Sequence, residues 1–264
     1  MSAVQPPQVL FFDTFGTVVE WRTCVTNALR LAAKQALEDP SKDLPVDVRQ
    51  RATSLSESDW QSLAQDWRLS YGVFTSTFDP SSEFVSVDQH HYTALQKLLQ
   101  ERGIRELFNE DELWDLTLSW HRLNPWPDSV AGLALLNTKF TTSTLSNGNM
   151  SLLEDLKKHG QLPFTRLVSS ENFGAYKPSP IVYNGAANLL EHTPAQCALV
   201  AAHLIDLKAA KGCGFQTIYI ERELEEAWSS DRIAQAKAEG FVDIWVGLNE
   251  GGFVEAARRL GITA

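Results

Sequence analysis

A carboxylate stands at the end of an apolar run in residues 9–17, VLFFDTFGT, where Asp13 follows four apolar residues and precedes a short turn ending in Gly16 and Thr17. Taken alone, an aspartate there is equally well explained as a turn former or a helix N-cap. Its company argues for more. Ser146 and Asn147 close the run FTTSTL, and His203 and Asp206 follow the run CALVAA. Acid, hydroxyl, amide and imidazole groups brought to one place would make a site able to hold a small polar ligand and react with it.

Whether they meet depends on the elements that carry them. From residue 140 onward, short apolar runs (FTTSTLS, RLVSS, CALVAA, TIYI, DIWV) alternate with amphipathic segments. This is the pattern of a parallel sheet wrapped by helices. With VLFF it predicts about six strands in an α/β, Rossmann-like sheet with helices on both faces. Between Trp21 and His121 the pattern changes, and VTNALRLAAKQAL, HHYTALQKLLQERG and EDELWDLTLSWHRL carry apolar residues at helical spacing. One strand, about a hundred helical residues and then the remaining strands predict an α/β core of residues 1–20 and 122–264, with a helical cap of residues 21–121 inserted into it. Residues 126–128 (WPD) and Gly132 read as the return to the core. Open sheets of this kind bind ligands outside the carboxyl ends of their strands, where all the groups named above fall.

Composition narrows the partners. The formal net charge of -10, with no cluster of Lys and Arg, argues against nucleic acid. A few locally placed cations would still suffice for a small anion. Cys24, Cys197 and Cys213 show no metal-ligand spacing and read as free thiols in a reducing compartment. No stretch approaches the ~18 apolar residues of a membrane span, and the start MSAVQPPQ does not resemble a secretory signal. The expectation is a cytoplasmic protein with no membrane partner.

The ordered strings DTFGT (13–17), LSNG (145–148), YKPSPIVY (176–183) and AAHLID (201–206) resemble the four motifs of the haloacid dehalogenase superfamily. Trp67-Arg68, together with Tyr183 six residues after Lys177, is similar to its type II L-2-haloacid dehalogenase branch. The resemblance implies a catalytic set of Asp13 as nucleophile, Thr17 hydrogen-bonded to it, Arg68 reaching the departing halide, Lys177 supplying positive charge, and Asp206. It also implies substrate contacts from the backbone amides of the turn after Asp13, at Thr14 and Phe15, and from Arg68, Ser146, Asn147 and Tyr183. A carboxylate attacking carbon divides one hard hydrolysis into two displacements through an ester. The expected substrate is a small carboxylic acid bearing a halide at C2, and the expected assembly is a homodimer through cap helices.

Several residues depart from the family pattern. Phosphatases of the superfamily carry a second aspartate where this chain has Phe15, and an acidic pair where it has Ile205-Asp206, so neither phosphoester hydrolysis nor a magnesium site is expected, and no cofactor. Dehalogenases carry tyrosine at Phe15, glutamine at Leu69 and Ser-Ser-Asn at Ala201-Ala202-His203. A histidine at a strand end can position or deprotonate water, which adds His203 to the catalytic set and keeps open the opening of an epoxide or strained ring. Trp60, Trp67, Tyr71, Phe74 and Phe78 are expected as an apolar pocket wall.

Overall fold

The computed structural model describes residues 6–262. The first apolar run forms β1 (Val9–Phe12), whose four residues are fully buried. Successive strand side chains point to opposite faces. Accordingly, Leu10 and Phe12 enter one core cluster, with Phe164 and Phe253, while Val9 and Phe11 enter a second, with Tyr183 and Phe215. A strand with both faces covered belongs to the interior of a parallel sheet.

The chain leaves β1 through a tight turn into β2 (Val19–Glu20) and then runs through five helices: α1 (Arg22–Glu38), α2 (Val46–Ser54), α3 (Glu57–Thr77), α4 (Val87–Glu101) and α5 (Glu110–Thr117). It returns through β3 (Asn124–Pro125), which pairs antiparallel with β2, so exit and return leave side by side. There follow α6 (Ser129–Leu136), β4 (Thr141–Thr144), α7 (Met150–His159), α8 (Pro180–Leu189), β5 (Cys197–Ala201), α9 (Leu204–Gly212), β6 (Gln216–Ile220), α10 (Ser230–Glu239), β7 (Ile244–Val246) and α11 (Gly252–Arg259).

The sheet is ordered β4-β1-β5-β6-β7, and every pair is parallel. The expected strand over RLVSS is not among its five. Residues 165–169 instead run beside β4 through isolated bridges, Ser143 to Arg166 and Ser146 to Ser169. The threonines explain this. Thr144 Oγ1 accepts from the Val168 amide and donates to its carbonyl, and Thr165 Oγ1 does the same to Thr142. Side-chain hydroxyls thereby take the backbone partners that a ladder would use.

The chain turns to β4 on one side of β1 and to β5 on the other. The crevice between the carboxyl ends of β1 and β5 is the switch point where such sheets bind ligands. The return segment braces that edge. Trp126 Nε1 donates to the Gly16 carbonyl at 3.0 Å, and Ser129 Oγ to the Val18 carbonyl at 2.7 Å. Arg222, after β6, forms a bidentate pair with Asp128 at 2.6 and 2.9 Å and donates to the Thr17 carbonyl at 3.1 Å.

α3 opens on a capping box between Ser56 and Asp59. It buries Trp60, Leu63, Ala64, Trp67, Tyr71 and Thr75, a helical stripe that leaves Arg68 and Leu69 beside it. In the core, α6 packs on α11 through Gly132, where an added methyl carbon would stand 3.0 Å from the Phe253 Cα and 2.8 Å from its carbonyl carbon. Backbone cannot yield as a flexible side chain can. Gly132→Ala is therefore expected to lower stability by about 1 to 3 kcal/mol in urea unfolding, despite the better helix propensity of alanine.

Candidate active site

Asp13 is fixed from three directions. Its amide continues the sheet by donating to the Val200 carbonyl at 3.0 Å. Thr17 Oγ1 donates to Oδ2 at 2.8 Å and accepts from the Ala202 amide at 2.9 Å, tying the β1 turn to the end of β5. Lys177 Nζ donates to Oδ1 at 3.0 Å. The same ammonium reaches Asp206 Oδ2 at 2.5 Å, and Tyr183 OH donates to Asp206 Oδ1 at 2.6 Å. Asn147 holds the Lys177 backbone: its Oδ1 accepts from the Lys177 amide at 2.7 Å and its Nδ2 donates to the Lys177 carbonyl at 3.2 Å.

His203 closes the other side. Its Nδ1 lies 3.0 Å from Asp13 Oδ2, and its Nε2 lies 3.5 Å from Glu225 Oε2. It thus contacts Asp13 directly. Glu225 is the residue that sequence reasoning missed. Its side chain is 5% exposed, and Oε1 accepts from Trp21 Nε1 at 2.9 Å. It lies against Gly16, whose φ of +78° and lack of a Cβ permit the approach.

These contacts set the protonation states. Burial pushes the Asp13 carboxyl up, but the Lys177 charge and the His203 hydrogen bond outweigh it and hold the group below the usual carboxylate range. Burial would lower Lys177, and Asp13 with Asp206 reverses this, keeping it cationic. Burial and the neighbouring Asp13 charge raise Asp206 against the pull of Lys177. Burial also opposes the charge on His203. Its hydrogen bonds to Asp13 and Glu225, with the Asp13 charge, prevail and carry it up to about 9.

Asp13, Arg68, Asn147, Lys177, Tyr183, His203 and Asp206 share one cavity of about 620 Å³. Arg68 enters it from α3 with its guanidinium carbon 4.8 Å from the Tyr71 ring centre. Its Nε is buried without a hydrogen-bond partner, and it joins none of the ion pairs of the described residues.

Thr14, Phe15 and Ser146 are not among the residues that line the cavity. Phe15 packs edge-on between Tyr71 and Trp120, and Ser146 Oγ accepts from the Gly148 amide. Of the five aromatics expected as a wall, Tyr71 alone reaches the cavity, and Trp21 joins it. Trp67 Nε1 donates to the His91 carbonyl, while Phe74 and Phe78 pack on Tyr176, so these serve the core. Magnesium does not fit the residues present. The side chains of Phe15 and Ile205 supply no oxygen, and the ammonium of Lys177 already bridges the carboxylates of Asp13 and Asp206.

Residues 7–214 match the family model of haloacid dehalogenase-like hydrolases. The chain belongs to that family. Among relatives of this hydrolase is (S)-2-haloacid dehalogenase 1 of Pseudomonas sp. (strain CBS-3), 29% identical over 223 residues, or 83% of this chain and 86% of that one. Two solved structures are similar over nearly the full length. The L-2-haloacid dehalogenase PA0810 is 32% identical with a TM-score of 0.78, over 97% of this chain and 100% of that one. The defluorinating L-2-haloacid dehalogenase Rha0230 is 31% identical with a TM-score of 0.77, over 96% and 95%.

The raised His203 pKa makes a stability prediction for the hydrolase. A group whose pKa rises from 6.5 to about 9 on folding stabilises fully below pH 6.5, and that contribution is lost as pH rises through 9. The advantage of the native protein over His203→Gln in urea unfolding should therefore shrink by on the order of 3 kcal/mol between pH 6 and pH 10. A pH-independent difference would mean that the imidazole is neutral in the folded state.

Proposed function

We propose that this hydrolase cleaves the carbon–halogen bond at C2 of a small (S)-2-haloacid, giving the 2-hydroxy acid through an ester on Asp13. One observation carries the reading: a carboxylate held ionised by Lys177 and a guanidinium that joins no ion pair among the described residues line the same cavity. That pairing supplies a nucleophile and a seat for a departing anion. The names of the relatives support the substrate class, and nothing in them favours the ring-opening alternative.

In the first step an Asp13 oxygen bonds to C2 as the carbon–halogen bond breaks, and the halide leaves with the electron pair toward Arg68. A guanidinium suits this role because it stays charged and is weakly hydrated. Lys177 keeps the nucleophile ionised and balances the substrate carboxylate. Thr17 orients the nucleophile, and Tyr183, Asp206 and Asn147 hold Lys177 in place.

Ester formation removes the Asp13 charge, and with it two of the influences that keep His203 protonated, its hydrogen bond and its Coulombic attraction. The imidazole then gives its proton to solvent and becomes the base that takes a proton from water, with Glu225 steadying the imidazolium. Water attacks the ester carbonyl, the bond from the acyl carbon to the alkoxide oxygen breaks, and the alkoxide takes the proton from the His203 imidazolium and leaves as the hydroxy acid, freeing the Asp13 carboxyl to ionise again. Residues 21–121 act as the cap that delivers Arg68 over a core of 1–20 and 122–264. On the strength of the family resemblance, the reading extends to a cytoplasmic homodimer.

A single turnover with enzyme in excess in 18O water tests the ester. Unlabelled hydroxy acid, with label on the peptide containing Asp13, is expected, whereas label in the product of the first turnover would make Asp13 a base. Arg68→Ala is expected to lower kcat/KM for halide release about a hundredfold to a thousandfold while urea unfolding stays near that of the native protein. Near-normal turnover in that variant would remove Arg68 from the reaction.

A further inference from the structure

The cavity is larger and more apolar at its mouth than a three-carbon acid requires. Its volume of about 620 Å³ lies in the range of sites that hold drug-sized ligands. The charged groups, Asp13, Lys177, Asp206 and His203, gather at the sheet edge. At the mouth, three large apolar residues from three separate segments face solvent: Leu69 of α3 at 56% exposure, Ile205 of α9 at 57%, and Leu224 after β6 at 72%. Exposed apolar residues scattered singly are ordinary, but three lining one opening mark a binding surface. Leu224 also holds a φ of +61°, a left-handed backbone conformation disfavoured for a residue with a Cβ. Such backbone clusters at ligand clamps. Leu69 is moreover the position where the family resemblance expects a glutamine.

The cation at this rim is spent on holding it together. Arg22 donates to Gln65 Oε1 at 2.5 Å and to the Leu224 carbonyl at 3.1 Å, and it stacks on Trp21 with its guanidinium carbon 4.4 Å from the ring centre. Resting on the dehalogenase reading above, we infer that the hydrolase takes 2-haloacids bearing an unbranched apolar chain beyond C3, with the chain leaving the catalytic end between Leu69, Ile205 and Leu224.

A series of (S)-2-bromo acids from propionate through butyrate and hexanoate to octanoate, with 2-bromosuccinate beside them, tests this by bromide release. kcat/KM should climb about fourfold for each methylene that the mouth covers, mainly through KM, and 2-bromosuccinate should fall below 2-bromobutyrate. Leu69→Gln and Leu224→Ser, each unfolding like the native protein, should flatten the dependence on chain length. A flat or falling series overturns the inference while leaving the dehalogenase reading intact. So does a preference for 2-bromosuccinate, which would give Arg22 a second carboxylate to bind. Bromide release from none of the acids would sink both readings.

Discussion

The ammonium of Lys177, shared between Asp13 and Asp206, is the contact on which the rest of the site depends. Two buried carboxylates facing one crevice repel each other and lose hydration, so at least one would take up a proton without a cation between them. Lys177 resolves this at 3.0 and 2.5 Å. A buried pair of this kind is weak evidence for stability, because desolvation offsets much of the attraction. What it secures is the charge on Asp13, and the fold goes to some length to place it. Asn147 grips the Lys177 backbone at both polar groups, and Tyr183 neutralises part of the Asp206 charge by hydrogen bonding.

A second set of contacts keeps the turn after Asp13 rigid. Trp126, Ser129 and Arg222 donate to the carbonyls of Gly16, Val18 and Thr17, so a segment just past the helical block and a side chain after β6 restrain the five residues after Asp13. Glu225 then joins that turn to His203 and Trp21. The imidazole is held between two carboxylates of unequal fate, since one becomes a neutral ester during the proposed reaction and the other does not. That asymmetry lets a group that is cationic at rest become a base at the right step.

The sheet and most of the site were legible because their signals are local strings. VLFF alternates between two core clusters, DTFGT and AAHLID each hold a residue of the candidate site just past a strand end, and YKPSPIVY holds another in the loop that leads into α8. Glu225 carried no such signal: it lies 22 residues past His203 in a polar loop, and only the folded chain brings it over Gly16. The aromatics of α3 misled for a related reason. Helical spacing identifies which residues share a buried stripe, but not whether that stripe faces a cavity or the core, and Trp60, Trp67, Phe74 and Phe78 face the core. RLVSS has strand composition, yet the threonine hydroxyls beside it took the hydrogen bonds that a strand needs.

The placement of β1 bears on how the chain acquires its structure. It lies inside the sheet, second in its order, and its neighbours β4 and β5 begin at residues 141 and 197. During synthesis an apolar segment with both faces and both edges open must wait for the chain to emerge past residue 141 for one edge and past residue 197 for the other. Pairings over such separations are slow to form, and unpaired strands are prone to associate with one another. The helical block, rich in local contacts, can order first and shorten the loop that β1 must close. Asp13, at the tip of this strand, therefore meets Lys177, His203 and the end of β5 only when segments made much later have docked.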